Sequence, residues 1–155
     1  MEIVRVETEK QLDAVRELWL AYYHLILEQY GVDMGYDYFR AEMAALPGSY
    51  APPAGRLFLA QDDETPAGCV GLRRVTAKKG ELKRLYVGSG YRGRGLGRAL
   101  VGTAIEAARE IGYQLVQVHT APFLTEAVGL YRALGFQEVL TEEEEAEMFM
   151  ELTLT

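Results

Sequence analysis

A single cysteine in 155 residues, Cys69, leaves no partner for an internal disulfide and no thiolates for a metal cluster. It lies in an apolar run, where a small core side chain is the expected role, and no histidine stands near it in sequence to make it a nucleophile. No segment approaches membrane-spanning length, and Met1–Glu7 has charges where a signal peptide needs an apolar run. A cytoplasmic protein is the expectation. Positive charge is also scarce: the chain sums to −7, which argues against nucleic acid or an anionic membrane as a main partner. No Gly-Lys-Ser/Thr occurs, so the phosphate loop of nucleotide hydrolases is excluded. Neither repeats nor linkers break the chain, and residues 1–155 read as one domain with room for a single core. With 49% apolar and 25% charged residues the composition is that of an ordinary globular protein.

Glycine is what the chain has, and it is concentrated. The stretch Glu81–Gly112 opens as a strand, ELKRLYV. A turn, GSGYRGRG, follows with Gly88, Gly90, Gly93 and Gly95 set among Arg92 and Arg94. Leu96, Leu100, Ala104, Ala108 and Ile111 then recur at helical spacing until Gly112 stops the helix. The first N–H groups of a helix have no partner inside it and sit at its positive end. Glycines let that backbone crowd against a ligand with no Cβ in the way. Arg92, Arg94 and Arg98 add local positive potential to an acidic chain. The turn is suited to a multiply anionic ligand, above all a phosphate.

The identity of the anion follows from what surrounds the turn. Gly88–Gly93 matches G-x-G-x-x-G, but a dinucleotide site needs a buried strand before it and an acidic residue closing the next one. Here the strand carries Glu81, Lys83 and Arg84, and the next strand, QLVQVHT, ends without a carboxylate. An NAD(P)-binding oxidoreductase is the weakest reading.

Along the chain, Ile3–Glu7 alternates as an opening strand, and Thr8-Glu9-Lys10-Gln11 is a capping box that starts a helix near Glu9. Leu12, Val15, Leu18, Trp19, Tyr22 and Ile26 form its apolar stripe, and Gly31 ends it. Tyr22, Tyr23, His24 and Tyr30 cluster at that end, as core padding or as one wall of an acceptor pocket. Tyr36–Leu46 makes a second helix and 48–55 a proline-stiffened loop. Strands over Leu57–Gln61 and Ala67–Val75 form a hairpin, and Lys78-Lys79-Gly80 turns the chain into Glu81. Leu115–Thr120 is the natural parallel neighbour of Leu82–Val87. Thr125–Gly135 reads as a helix with Thr125 as N-cap, and 136–139 with 148–154 as a closing hairpin. Between them Glu142–Glu145 and Glu147 form a block of like charge, read as a solvated loop, with attraction of a cationic acceptor as the competing idea.

Two motifs narrow the function. Arg92-Gly93-Arg94-Gly95-Leu96-Gly97 reads R-x-x-G-x-G between a strand and a helix, and Leu130–Phe136 reads L-Y-x-x-x-G-F. In this order and spacing they resemble the acetyl-CoA signature and the second hallmark of the GNAT family of N-acetyltransferases. The resemblance runs from about Arg56 to Val139. It implies an α/β, three-layer fold with a mixed, splayed central sheet of about seven strands and helices on both faces. It also implies acetyl-CoA as acyl donor and a small-molecule or peptide amine as acceptor.

By the same resemblance, backbone N–H groups of Arg92, Gly93, Arg94, Gly95, Leu96 and Gly97 hold the pyrophosphate, and the edge of Leu85, Tyr86 and Val87 pairs with the pantetheine. Tyr131 is the candidate general acid for the leaving thiolate, since a phenol with a reference pKa of about 10 is protonated at neutral pH; packing on the sheet is its plainer role. Glu81, at the start of the central strand, is the candidate base, usually acting through water; a solvated carboxylate is its plainer role. Gln117 stands where other members place a carboxylate, and the segment Thr120–Leu124 lacks the asparagine they often have there. His119 is a spare candidate base. No residue pattern suggests a metal. The oligomeric state stays open, a homodimer included. The rival from another class is a module that binds acetyl-CoA as a sensor without catalysis, and release of CoA thiol against amines separates the two.

Overall fold

The computed structural model describes residues 1–140 and 147–154; the acidic run Glu142–Glu145 lies outside the described residues. The chain runs β1 (Glu2–Arg5), α1 (Glu9–Tyr30), α2 (Tyr36–Ala44), β2 (Arg56–Asp62), β3 (Thr65–Arg74), β4 (Lys79–Val87), α3 (Leu96–Ile111), β5 (Leu115–Thr120), α4 (Thr125–Ala133), β6 (Gln137–Val139) and β7 (Met148–Thr153). The strands form one seven-stranded sheet in the order β1-β2-β3-β4-β5-β7-β6. Every neighbouring pair is antiparallel except β4 and β5, which the long crossover through α3 makes parallel. Among the described residues no helix is long and apolar enough to cross a membrane.

Both faces of the sheet are covered, which is why β2 reads LFLA rather than alternating with polar residues. Phe58 and Ala60 pack with α3 and α4 residues such as Leu100, Ala104 and Tyr131. Leu57 and Leu59 turn the other way, onto Trp19, Phe39 and Tyr50. Each fully buried leucine, valine or isoleucine stabilises the fold by about 1.5–3 kcal/mol. Gly71 makes room on the second face: a Cβ there would stand 2.5 Å from the Tyr50 ring.

The expected capping box is present, Gln11 N donating to Thr8 Oγ1 at 3.2 Å, and Gly31 ends α1 in the left-handed region at φ 68°. Other expectations change in detail. The 48–55 loop includes a one-turn helix, Gly48–Tyr50, that drives Tyr50 into the core beside Trp19. β4 begins at Lys79, earlier than a turn at Lys78–Gly80 allows, because Thr76 closes that turn and frees Lys79 to pair with Leu115. Thr125 is not the N-cap of α4; Leu124 is, and no side chain caps the helix.

Candidate active site

β4 and β5 stay paired only from Lys79↔Leu115 to Leu82↔Val118. Beyond Leu82 the strands part, while β4 continues against β3 through Tyr86↔Cys69 and Val87↔Gly68. One edge of Leu85–Val87 is therefore left without a strand neighbour, and buried backbone groups need partners. A cavity of about 500 Å³ occupies the fork, with Leu85, Tyr86 and Val87 on its wall.

The glycine turn forms the base of that cavity. Gly93 and Gly95 take φ values of 77° and 78°, a region that costs other residues strain, and Gly95 caps α3 without a side-chain bond. Gly93, Gly95, Leu96, Gly97 and Arg98 face the cavity, so the free N–H groups of α3 open into it. Arg92 also lines it; its Nε donates to the Val87 carbonyl at 3.1 Å, and its guanidinium lies 5.8 Å from the Tyr86 ring centre. Arg94 is not on the wall: its guanidinium stands over Tyr91 at 5.7 Å.

Two further elements close the cavity. α1 contributes Tyr22, Leu25, Ile26, Gln29 and Tyr30, one stripe at helical spacing. The uncapped start of α4 contributes Leu124, Thr125, Glu126 and Ala127. Tyr30 meets Phe123 across the fork, ring centres 4.8 Å apart. In sequence Arg98 is legible only as positive charge beside the turn, and the α4 start is not legible as a cofactor contact; α4's role depends on a tertiary approach that no local pattern encodes.

Tyr131 lies behind this wall, 6% exposed and 5.4 Å from the Phe136 ring centre, while its neighbours Leu130 and Ala127 face the cavity. Burial, and after it the nearby Tyr22, hold its phenol well above the usual range, so it stays protonated at neutral pH. Glu81 is apart from the cavity wall. It is 5% exposed, with Oε1 2.8 Å from Arg73 Nη2 and Oε2 accepting from Gln117 Nε2 at 2.7 Å. His119 is likewise off the wall, stacked on Phe149 at 4.3 Å. Cys69 is fully buried; its thiol, pushed up to about 12 by burial, donates to the Arg84 carbonyl and is inert.

A bulge shapes the strand just before the open edge. Val70 of β3 faces two residues of β4, Arg84 and Leu85. Arg84 sits at φ 59°, and its guanidinium pairs with Glu42 of α2 at 2.7 Å over the faces of Phe39 and Trp19. The Tyr50 hydroxyl donates to the same carboxylate at 3.0 Å.

Residues 12–136 match the model of the acetyltransferase (GNAT) family. The chain belongs to that family. The chemistry of a GNAT enzyme is acyl transfer, with acetyl-CoA as donor and nitrogen as acceptor. The sequence is 32% identical to an uncharacterised N-acetyltransferase of Schizosaccharomyces pombe, over 88% of this chain and 83% of the relative. An acetyltransferase from Streptococcus agalactiae has a similar fold, with a TM-score of 0.82, 20% identity and coverage of 99% of this chain and 98% of that one. A GNAT family acetyltransferase from Elizabethkingia anophelis with acetyl-CoA bound matches at a TM-score of 0.70 and 18% identity, over 99% and 97% of the two chains. The mixed, forked seven-stranded sheet is thus the GNAT fold that the two motifs imply.

Proposed function

We propose that this GNAT enzyme moves the acetyl group of acetyl-CoA to a primary amine, and that the fork between β4 and β5 is where it does so. The observation that carries the reading is the meeting, in one cavity, of an unpaired strand edge at Leu85–Val87 and the uncapped N-terminus of α3. A molecule with amides at one end and a diphosphate at the other is complementary to both. The N–H groups from Arg92 to Gly97 take the diphosphate, with Arg92 and Arg98 adding charge, and the strand edge takes the pantetheine amides. A β4 N–H at the bulge polarises the thioester carbonyl. The amine attacks that carbon, the C–S bond breaks, and Tyr131, just behind the wall at Leu130, is our candidate to supply the proton to the thiolate. Glu81 is our candidate base. Both its oxygens are already engaged by Arg73 and Gln117, so it would draw the amine's proton through a water.

The net charge of −7 and the buried thiol fit a cytoplasmic setting. Calorimetric titration with acetyl-CoA, followed by assay of released CoA thiol against an amine library, tests the proposal. Binding with no thiol release from any amine leaves a non-catalytic acetyl-CoA module; absence of binding removes the site altogether.

A further inference from the structure

The bulge in β4 places two consecutive cations on one face of the sheet. Lys83 pairs across the strands with Gly71, whose missing Cβ points at the Tyr50 ring, so Lys83 faces the α2 side. Arg84, in the left-handed region, turns to that side as well, onto Trp19 and Phe39. Arg73 joins them there, opposite Glu81. Three cations, Arg73, Lys83 and Arg84, thus meet two carboxylates, Glu42 and Glu81. Both carboxylates are taken: Glu42 by Arg84 and Tyr50, Glu81 by Arg73 and Gln117. Among the described residues Lys83 makes no ion pair. Its side chain is partly buried, and burial first, then Arg73 and Arg84, press its ammonium below the usual lysine range against the smaller opposing pull of Glu42 and Glu81. A sequestered cation with no ion pair of its own, in a cluster of three cations and two carboxylates, is a receptor for an anion.

Its place decides which anion. The last β4–β5 pair is Leu82↔Val118, so Lys83 is the first β4 residue past the fork. Tyr86, on the cavity wall and packed on the same α1–α2 side of the sheet, is three residues on, about 10 Å along the strand. Lys83 is not itself on that wall, and its ammonium meets the acceptor where the flexible stem extends along the α2 face toward Tyr86. Resting on the acetyltransferase reading above, we propose that Lys83 binds a carboxylate of the acceptor, and that the substrates are amines carrying a carboxylate close to the nucleophilic nitrogen, as amino acids do. A dication is repelled from the same position.

Matched triplets test this: an α-amino acid, its carboxamide and the corresponding decarboxylated amine, with aromatic, aliphatic and polar side chains, plus a linear polyamine. We expect wild-type kcat/KM for thiol release to favour the carboxylate member roughly tenfold or more, as a charge-assisted hydrogen bond requires. Lys83→Met should erase the preference and spare the decarboxylated amine, Lys83→Arg should retain it, and Lys83→Glu should shift it toward the polyamine. Affinity for acetyl-CoA should be unchanged in all three, which also checks folding. Equal or better turnover of the decarboxylated amine or polyamine by wild type overturns the proposal, as does a uniform loss across each triplet in Lys83→Met. An acetyl adduct on Lys83 after incubation with acetyl-CoA alone overturns it too, since the residue is then a nucleophile. If no amine is turned over, the transfer reading fails by itself. Calorimetry of the amino acids against the CoA-loaded protein then decides this one: weaker binding to Lys83→Met supports it, and equal binding refutes it.

Discussion

Arg84 occupies a backbone conformation that costs a non-glycine residue about 1–3 kcal/mol, and the Glu42 ion pair and two aromatic faces are what hold it there. Burial pushes the Glu42 carboxyl up, but Arg84 and the Tyr50 hydroxyl outweigh it and leave it below the ordinary range. A carboxyl lowered on folding contributes stability above its unfolded value of about 4.3, and that share is lost as pH falls through the lower folded value. Glu42→Gln should therefore be destabilised by about 1–3 kcal/mol at pH 7, with urea midpoints converging on wild type as the pH drops below about 4. A constant gap across that range would show that charge is not what matters at Glu42. At the proposed acid, Tyr131→Phe should lower kcat at least tenfold with little change in acetyl-CoA affinity. Equal rates remove Tyr131 from the mechanism. The sequence marked Tyr131 and Gly95 through local motifs. It was silent on Arg84, because an arginine in a strand gives no sign of a left-handed φ, and its partner lies 42 residues away.

Among the elements, α3 shows how much a local pattern can carry. Its stripe, its glycine stop and its open N-terminus are all written within thirty residues, and each is present. Arg92→Glu should weaken acetyl-CoA binding at least tenfold, and Gly95→Val should do the same by straining φ 78° and intruding on the cap. Titration calorimetry that finds either affinity unchanged relocates the diphosphate. α4 was less legible. Thr125 has the chemistry of an N-cap, yet Leu124 takes that position and leaves the first N–H groups free toward the cavity. Propensity alone favours capping by the threonine; the packed path of the 121–124 segment overrides it. Tyr22 and Tyr30 sat on a stripe that sequence reads as core or wall alike, and only the position of the fork makes them wall.

For the molecule as a whole, the sheet could be read because a hairpin, a crossover helix and a closing hairpin leave few topologies open. The open edge at Leu85–Val87 came from the family resemblance and not from any local pattern, since the point at which β4 and β5 separate depends on the twist of seven strands together. The fork predicts where the ligand acts on the backbone. Saturating acetyl-CoA should slow hydrogen exchange at those amides of Leu85–Val87 that do not donate to β3, and leave β1 and β2 unaltered. Unchanged exchange at 85–87 places the pantetheine elsewhere.

Among the described residues, four register pairs stitch the antiparallel block β1–β4 to the block β5–β7 along the sheet. In the site proposed above, a coenzyme lodged past the end of that seam would extend it, bonding to one block while resting against the other. Loading the donor should therefore stiffen the joint between the blocks, and discharging it should relax that joint at the moment when CoA has to leave.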